Sequence, residues 1–468
     1  MGVHLDAPLI ISASGIRGIV GRTITPELAS RYGAAFGCFV REQNPNLKDG
    51  YVLVGRDSRT SGAFLAEAAA AGVCAAGVNA RLTGIGPTPT HLLAVKDDEQ
   101  ALGGLIVTAS HNPVEWNGLK LASPDGLFVT PAEGEKINRM FDEGPEYADW
   151  SEPGLTSSYP GIIEHHIERI LGIELIAAEA VASSRPHVVV DCVHGAGALV
   201  VPELLRQLGA EVDGIGLTAD GRFPRNPEPT PENLRELGER VRELGADIGF
   251  AVDPDSDRLA IVDETGEPIG EDWTLALAVD YVLGHRSGPV VTNLSSSQCI
   301  EDVARKADVP FHRSSVGEAR VAAMMVDTGA VIGGEGNGGV MLPDLNLTRD
   351  APLACALILS LCAERGARIG ELLAGRRRYE MVKRKIPCPD MPFEHIIGTL
   401  RASMGSDAEA DVTDGIRLSW PDRSEWLHVR PSGTEPILRV IAESMEHGRA
   451  ESLATTAADC VAGSIEAC

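Results

Sequence analysis

Four short stretches of this 468-residue chain combine residue types that do chemistry. The first, Thr108-Ala109-Ser110-His111-Asn112-Pro113, sets a hydroxyl nucleophile beside an imidazole just after the apolar run Gly104-Leu105-Ile106-Val107. That run reads as a short buried strand, and open α/β sheets place ligands in the crevice beyond their strands' carboxyl ends. Pro113 stops a helix and biases Asn112 to extended backbone, so Ser110 is expected on a rigid loop. From these residues alone three roles stand open. Ser110 is an ordinary turn serine, a hydrolase nucleophile without the Gly-x-Ser-x-Gly flanks, or a serine that carries phosphate. A phosphate would add about −1.5 to −2 charges and would need cations around it.

The second stretch, Asp253-Pro254-Asp255-Ser256-Asp257-Arg258, repeats a carboxylate at every other position after the strand-like Ile248–Val252. Curled into a loop, three hard oxygen donors converge on one ion, and they suit Mg²⁺ or Ca²⁺ better than zinc. A solvated acidic turn is the plainer alternative. An EF-hand start is disfavoured because Arg258 stands at the loop's sixth position, where glycine is needed, although Asp263 and Glu264 follow. A cation on the aspartates, with Lys120 and Arg258, would supply the charge that a phosphoserine needs.

The third, Gly334-Glu335-Gly336-Asn337-Gly338-Gly339, satisfies the GxGxxG spacing. Val340-Met341-Leu342-Pro343 follows it, however, with a proline and no helix start, which excludes a dinucleotide site. A glycine loop with one acid, Glu335, and one amide, Asn337, suits hydroxyl recognition; a flexible turn is the alternative. In the fourth, Arg430-Pro431-Ser432-Gly433-Thr434, a guanidinium fork, two hydroxyls and a glycine make a phosphate cradle. No GxxxxGK loop occurs, so this cradle suits a substrate phosphate and not ATP. Ser12-Ala13-Ser14-Gly15-Ile16-Arg17-Gly18 adds Arg17 on another flexible loop.

The elements that must position these stretches follow from pattern. The chain is too long for one core and should divide into three or four domains. Alternating strands and helices run through 1–160, 161–265 and 266–376, which gives three similar α/β domains. Expected helices include 61–77, 132–141, 199–208, 273–283, 300–307, 318–328 and an apolar one near 353–362 capped by Asp350. Thr230 and Pro231 read as the N-cap and first residue of another. The segment 143–159, rich in glycine, proline and serine, reads as a linker. From 377 to 468 the strands cluster at 383–387, 415–420, 426–430 and 437–443 with helices outside, as in a small α+β domain.

A net charge of −26 excludes general nucleic-acid binding. No apolar run reaches the ~20 residues of a membrane helix, and the N-terminus reads as no secretory signal, so a cytoplasmic location is expected. Nine scattered cysteines without a CxxC pair read as small buried hydrophobes.

Taken in order, Ser-Gly-Ile-Arg-Gly, Thr-Ala-Ser-His-Asn-Pro, Asp-Pro-Asp-Ser-Asp-Arg, Gly-Glu-Gly-Asn-Gly-Gly and Arg-Pro-Ser-Gly-Thr-Glu-Pro resemble the α-D-phosphohexomutase family. The resemblance spans essentially the whole chain. It implies four domains around a central cleft and transfer of a phosphoryl group between O1 and O6 of a hexose through a 1,6-bisphosphate. It implies Ser110 as the phosphoserine, and Asp253, Asp255 and Asp257, with an oxygen of that phosphate on Ser110, as ligands of one Mg²⁺. Glu335 and Asn337 match the sugar loop, and Arg430, Ser432, Gly433 and Thr434 the loop for the phosphate that is not transferred. Arg17 and Lys120 match residues around the phosphoserine, with Lys120 a candidate general base or acid and Arg258 a further cation. His111 is a candidate for steering protons, or else stabilises the turn. The expected partners are the hexose phosphate and its bisphosphate, with no nucleic acid and no membrane, in a monomer or homodimer.

The sequence departs from that family where glucose and mannose mutases usually carry Gly-Glu-Met-Ser-Gly-His. Here Gly339 replaces the histidine and Asn337 the serine. Asn293-Leu294-Ser295-Ser296-Ser297 lacks a lysine often found there, and Glu318 stands where some members have histidine. The form here resembles archaeal-type and some bacterial enzymes assigned to glucosamine or mannose phosphates. Glucosamine 6-phosphate is therefore the expected substrate, with Glu318 a candidate to balance its ammonium.

Overall fold

The computed structural model describes residues 9–12, 14–45, 49–387, 393–432 and 437–466. Its strands form four sheets. The first runs in the order Ile10–Ser12, Gly15–Ile19, Trp116–Ala122, Ala101–Val107, Tyr51–Arg56, Asn79–Ile85, Thr156–Ser158. The second runs Leu259–Val262, Ile248–Val252, His187–Asp191, Glu211–Ile215, and the third Gly339–Met341, Ile332–Glu335, Val290–Asn293, Phe311–Ser314.

Apart from the outer strands of the first, these sheets share one topology. Three parallel strands lie side by side, the earliest in sequence at their centre, and an antiparallel strand flanks the latest. That antiparallel strand always follows directly in sequence on the parallel strand it pairs with. The connection between them therefore leaves the carboxyl end of a parallel strand. In the three sheets it is 108–115, 253–258 and 336–338, the stretches that carry Ser110, the aspartates and Asn337.

The burial pattern explains why these strands form. Ala101–Val107, Ile248–Val252 and Ile332–Glu335 are buried at every residue, as expected of strands covered by helices on both faces. Helix Ala351–Arg365 starts where Asp350 Oδ1 accepts the Leu353 N–H at 2.8 Å and ends at Gly366, whose φ of 57° fits a left-handed stop. Every residue from Ala351 to Leu361 is buried. Apolar all round, the helix sits in one continuous core with Val188 and Phe250 of the second sheet and Val290 and Ile332 of the third.

The fourth sheet is wholly antiparallel, in the order Glu380–Pro387, Ile437–Ser444, Glu425–Pro431, Ile416–Trp420, Glu409–Asp411. Helices Phe393–Met404 and His447–Glu466 close its own core around Ile396, Leu400, Leu418, Val429 and Leu453. It meets the third sheet through buried polar contacts. Arg417 donates to Leu294 O, Gln298 N–H donates to Glu443 Oε1 at 3.0 Å, and His428 Nδ1 lies 2.9 Å from Ser295 Oγ.

That last contact makes the junction acid-sensitive. Burial, with the nearby Arg417 charge, pushes the His428 imidazole down to about 4, against the hydrogen bond it donates to Asp414 O. Between pH ~6.5 and 4 the unfolded chain binds a proton that the folded chain refuses. The stabilising contribution is complete above about 6.5 and is lost as pH falls towards 4. His428→Gln should therefore lose less stability than the unaltered protein between pH 7 and 4 in urea titrations; parallel losses would refute the assignment.

Several sequence expectations are corrected. Segment 143–159 is not a free linker: Thr156–Ser158 adds a parallel strand beside Asn79–Ile85, and Ala148 and Gly154 N–H donate to Ala75 O and Cys74 O. At Thr230 and Pro231 a single 3-10 turn forms, Pro231–Asn233, and the α-helix begins only at Arg235. Thr230 Oγ1 is occupied by the Asn233 side chain instead of capping. The helix expected at 199–208 forms as Val201–Gln207, with Pro202 in its first turn where no N–H is needed, and a 3-10 turn, Ala196–Leu199, precedes it. Pattern reading missed Trp116–Ala122, Leu259–Val262 and Gly339–Met341, the antiparallel strands that turn the chemical loops into hairpins.

Candidate active site

Ser110 is nearly buried and has a φ of 49°, a left-handed backbone that non-glycine residues rarely adopt. Its conformation is over-determined by its neighbours. Its N–H donates to Thr108 Oγ1 at 2.9 Å, and its carbonyl accepts from Arg59 Nη2 at 2.6 Å. Arg59, fully buried, also donates to the carbonyls of Asn112, Pro113 and Trp116 and pairs with Asp57 at 3.1 Å. One guanidinium thus holds the loop from its third residue to its end.

The aspartate loop curls for a comparable reason. Ser256 takes a φ of 53° and its N–H donates to Asp253 O, while the N–H groups of Asp257 and Arg258 donate to Asp253 Oδ1. The three carboxylates, all buried, each turn an oxygen to within 4.8 Å of the others. Asp263 and Glu264 take no part: Asp263 caps the turn at Thr265, and Glu264 accepts the Gly370 N–H.

The two loops meet. Ser110 Oγ donates to Asp253 Oδ2 at 3.2 Å, and Lys120 Nζ and Thr88 Oγ1 donate to Asp255 Oδ2 at 3.0 and 2.8 Å. Burial, and then the charges of Asp257 and Asp255, push the Asp253 carboxyl well above the usual carboxylate range. Burial acts on Asp255 in the same direction, but the Lys120 charge and hydrogen bonds from Asp253, Lys120 and Thr88 outweigh it and hold this group low. Asp255 Oδ1 and Asp257 Oδ1 are buried without a hydrogen-bond partner. Surplus buried negative charge and two unpartnered oxygens from a hard donor set fit a divalent cation.

Cations surround the pair. Arg17 Nη1 donates to Asn112 Oδ1 at 2.7 Å in the serine loop. Arg258 Nη1 donates to Glu228 Oε1 at 3.1 Å and its Nε lies 3.7 Å from Asp257 Oδ1. His111 lies between the same groups, with Nδ1 3.3 Å from Ser110 Oγ and Nε2 3.8 Å from Glu228 Oε1. Burial, then the charges of Arg258 and Arg17, hold its imidazole well below the usual histidine range, so it is neutral near pH 7.

The sugar-type loop joins this cluster through Arg349. Its guanidinium donates to Asp257 Oδ2 at 2.5 Å, Glu335 Oε2 at 2.9 Å and Glu318 Oε2 at 3.2 Å. Leu259 N–H also donates to Gly338 O. Glu335 Oε1 accepts from Asn293 Nδ2 and the Gly317 N–H, while the buried Asn337 Oδ1 has no partner. Both oxygens of Glu318 are committed to Arg349, because Oε1 accepts its backbone N–H at 2.9 Å.

Arg430 stands apart from Ser110, on the antiparallel sheet. Asp414 Oδ2 accepts from its Nε at 3.1 Å and also from the Val316 N–H, two residues before Glu318. Ser432 N–H donates to Ile437 O, and Gly433 and Thr434 lie outside the described residues. Sequence reasoning missed Thr88, Arg59, Glu228, Arg349 and Asp414. Their partners lie from 2 to 167 positions away, and nothing local marked them.

Three repeated α/β sheets presenting chemical loops at the same connection, followed by an antiparallel domain, are the architecture of a phosphohexomutase. Sequence models of phosphoglucomutase/phosphomannomutase match the chain in order: α/β/α domain I over residues 9–148, domain II over 164–266, domain III over 270–379 and the C-terminal domain over 394–459. A phosphoglucomutase/phosphomannomutase of Thermococcus kodakarensis is 37% identical over 447 residues, covering 93% of this chain and 94% of its own. A protein of Methanopyrus kandleri named "Probable phosphoglucosamine mutase" is 37% identical over 456 residues, covering 97% and 98%. The crystal structure of a phosphoglucomutase/phosphomannomutase family protein from Burkholderia thailandensis superposes with a TM-score of 0.84 at 26% identity, covering 97% of each chain. The chain belongs to the phosphoglucomutase/phosphomannomutase family, whose members are isomerases. Among the described residues, no helix is long and apolar enough to cross a membrane.

Proposed function

We propose that this enzyme interconverts a hexose 6-phosphate and a hexose 1-phosphate through a phosphorylated Ser110 and a 1,6-bisphosphate intermediate, with glucosamine phosphate as its substrate. The observation that carries the mechanism is Ser110 Oγ, 3.2 Å from Asp253 Oδ2, at the edge of three buried carboxylates. A hydroxyl placed there for ordinary turn stability would not need a left-handed residue or an expensive buried acidic cluster.

Asp253, Asp255 and Asp257, with an oxygen of the Ser110 phosphate, are the residues that would hold one Mg²⁺. Bound there, it supplies positive charge that stabilises the transferring phosphoryl group. Arg17 and Arg258 add fixed positive charge on either side of Ser110, and Lys120 and His111 are placed to exchange the proton of the attacking and departing hydroxyls. Glu335 and the unpartnered Asn337 Oδ1 receive sugar hydroxyls. Arg430, Ser432, Gly433 and Thr434 hold the phosphate that is not transferred, and its arrival draws Arg430 from Asp414. The working domains in this reading are 1–160, 161–265, 266–376 and 377–468.

The name of the Methanopyrus kandleri relative supports glucosamine. Glucose or mannose phosphates under the same mechanism are the second reading. The Thermococcus kodakarensis name favours them, and so does Glu318, which Arg349 holds by both oxygens and thereby withholds from a substrate ammonium. The deciding assay follows 1- and 6-phosphates of glucosamine, glucose and mannose with Mg²⁺ and 1,6-bisphosphate. Fastest turnover is expected on the glucosamine pair. Equal kcat/KM on all three would remove the preference, and release of inorganic phosphate without isomerisation would replace a mutase by a phosphatase.

A further inference from the structure

Arg349 is nine-tenths buried, and the two residues that follow it are pinned by their backbone N–H groups. Asp350 N–H donates to Val340 O beside the sugar-type loop, and Ala351 N–H donates to Ser256 O in the aspartate loop. From that fixed point one guanidinium reaches three carboxylates on three segments: Asp257, Glu318 and Glu335. The room for its stem comes from Gly339. A Cβ there would lie 2.3 Å from Arg349 Cδ and 2.7 Å from Cγ, far inside contact distance. The side chain missing at 339 and the side chain present at 349 are one spatial arrangement.

We propose that Arg349 is the positioning residue that joins the metal-ligating loop to the sugar-reading loop, with Gly339 as the opening it passes through. This deepens the function proposed above and rests on it. The guanidinium acts on the two ligands in opposite directions. It shares the charge of Asp257 Oδ2 and so competes with a cation for that carboxylate. It also fixes Glu335 by one oxygen while Asn293 and Gly317 fix the other, which sets the carboxylate that a sugar hydroxyl meets. A bidentate or branched fork does this and a point charge does not, so lysine is no substitute.

The test measures Mn²⁺ affinity by electron paramagnetic resonance and glucosamine 6-phosphate and glucose 6-phosphate affinity by calorimetry. Circular dichroism confirms folding of each variant. Arg349→Met should bind Mn²⁺ about threefold tighter or more, because a competing positive charge is gone. The same variant should bind both sugar phosphates about tenfold more weakly, because Glu335 loses a charge-assisted hydrogen bond. Should Arg349→Met not fold, Arg349→Lys decides: it should leave Mn²⁺ affinity within about twofold and still weaken the sugars. Gly339→Ala, which pushes the arginine stem aside, should weaken the sugars as well, and should add nothing in an Arg349→Met background. Parallel weakening of metal and sugar in Arg349→Met, or sugar affinity unaltered in Arg349→Lys, would overturn the inference alone. An unaltered protein that binds neither sugar phosphate would overturn the mutase reading and take the inference with it.

Discussion

Ser110→Ala is expected to lower mutase turnover by at least about 10⁴-fold while leaving the fold and the three aspartates intact, since removal of a covalent nucleophile leaves only binding and electrostatics. The loop should survive because its fixed points are backbone groups. The Ser110 N–H bonds to Thr108 and its carbonyl to Arg59, and neither bond involves the hydroxyl. The side-chain contacts removed are those to Asp253 at 3.2 Å and His111 at 3.3 Å. Alanine tolerates the left-handed φ no worse than serine, so backbone strain adds little. Two measurements separate this account from a structural one. After incubation with 1,6-bisphosphate, intact mass should show one phosphoryl group on the unaltered protein and none on the variant. Thermal unfolding should change by no more than the loss of one buried hydrogen bond would. Retained isomerase activity in Ser110→Ala would exclude the phosphoserine route.

The second large effect is expected at a residue that touches no substrate. Arg59→Met should cost about 3–5 kcal/mol of stability, the range for breaking a buried ion pair on one side. The variant strands Asp57, fully buried, with only the Thr108 hydroxyl and the residue-59 N–H as donors. It also removes the guanidinium donors from the carbonyls of Ser110, Asn112, Pro113 and Trp116, of which Pro113 O keeps the Trp116 N–H. Methionine matches the stem but supplies none of the lost N–H groups. Arg59 also lies over the Phe223 ring, 5.0 Å from its centroid, so its loss loosens the contact between the first and second domains. Activity should fall further than stability, because Ser110 is then free to leave its left-handed conformation. A denaturation midpoint equal to that of the unaltered protein would refute this role.

The two predictions divide along what can be read locally. Ser110 and the three aspartates were legible because unusual residue types sit next to one another at a strand end, where a short window contains the whole signal. The GxGxxG spacing at Gly334 leads into a strand, Gly339–Met341, and not into a helix. Thr230-Pro231 carries good helix-start signals, yet a 3-10 turn satisfies those signals as well as an α-helix does, and tertiary packing chose. The apolar helix through Leu353 and its Asp350 cap were legible, because continuous apolarity and one capping residue are local properties.

Arg59, Arg349, Glu228 and Asp414 had no such signature. An arginine in an acidic chain is ordinary until its guanidinium is seen to collect carbonyls from Ser110 to Trp116, or carboxylates from Asp257, Glu318 and Glu335. The sequence by itself determined the residue chemistry, the strand ends that present it and the order of the loops, because each is encoded within a few bonds of the chain. Only the tertiary structure decided that a repeated sheet topology brings the serine, aspartate and sugar-type loops into one cluster of buried charges, that Glu318 is spent on Arg349, and that Gly339 opens the way for it. Those outcomes are set by which buried charges must find partners, and the partners lie far along the chain.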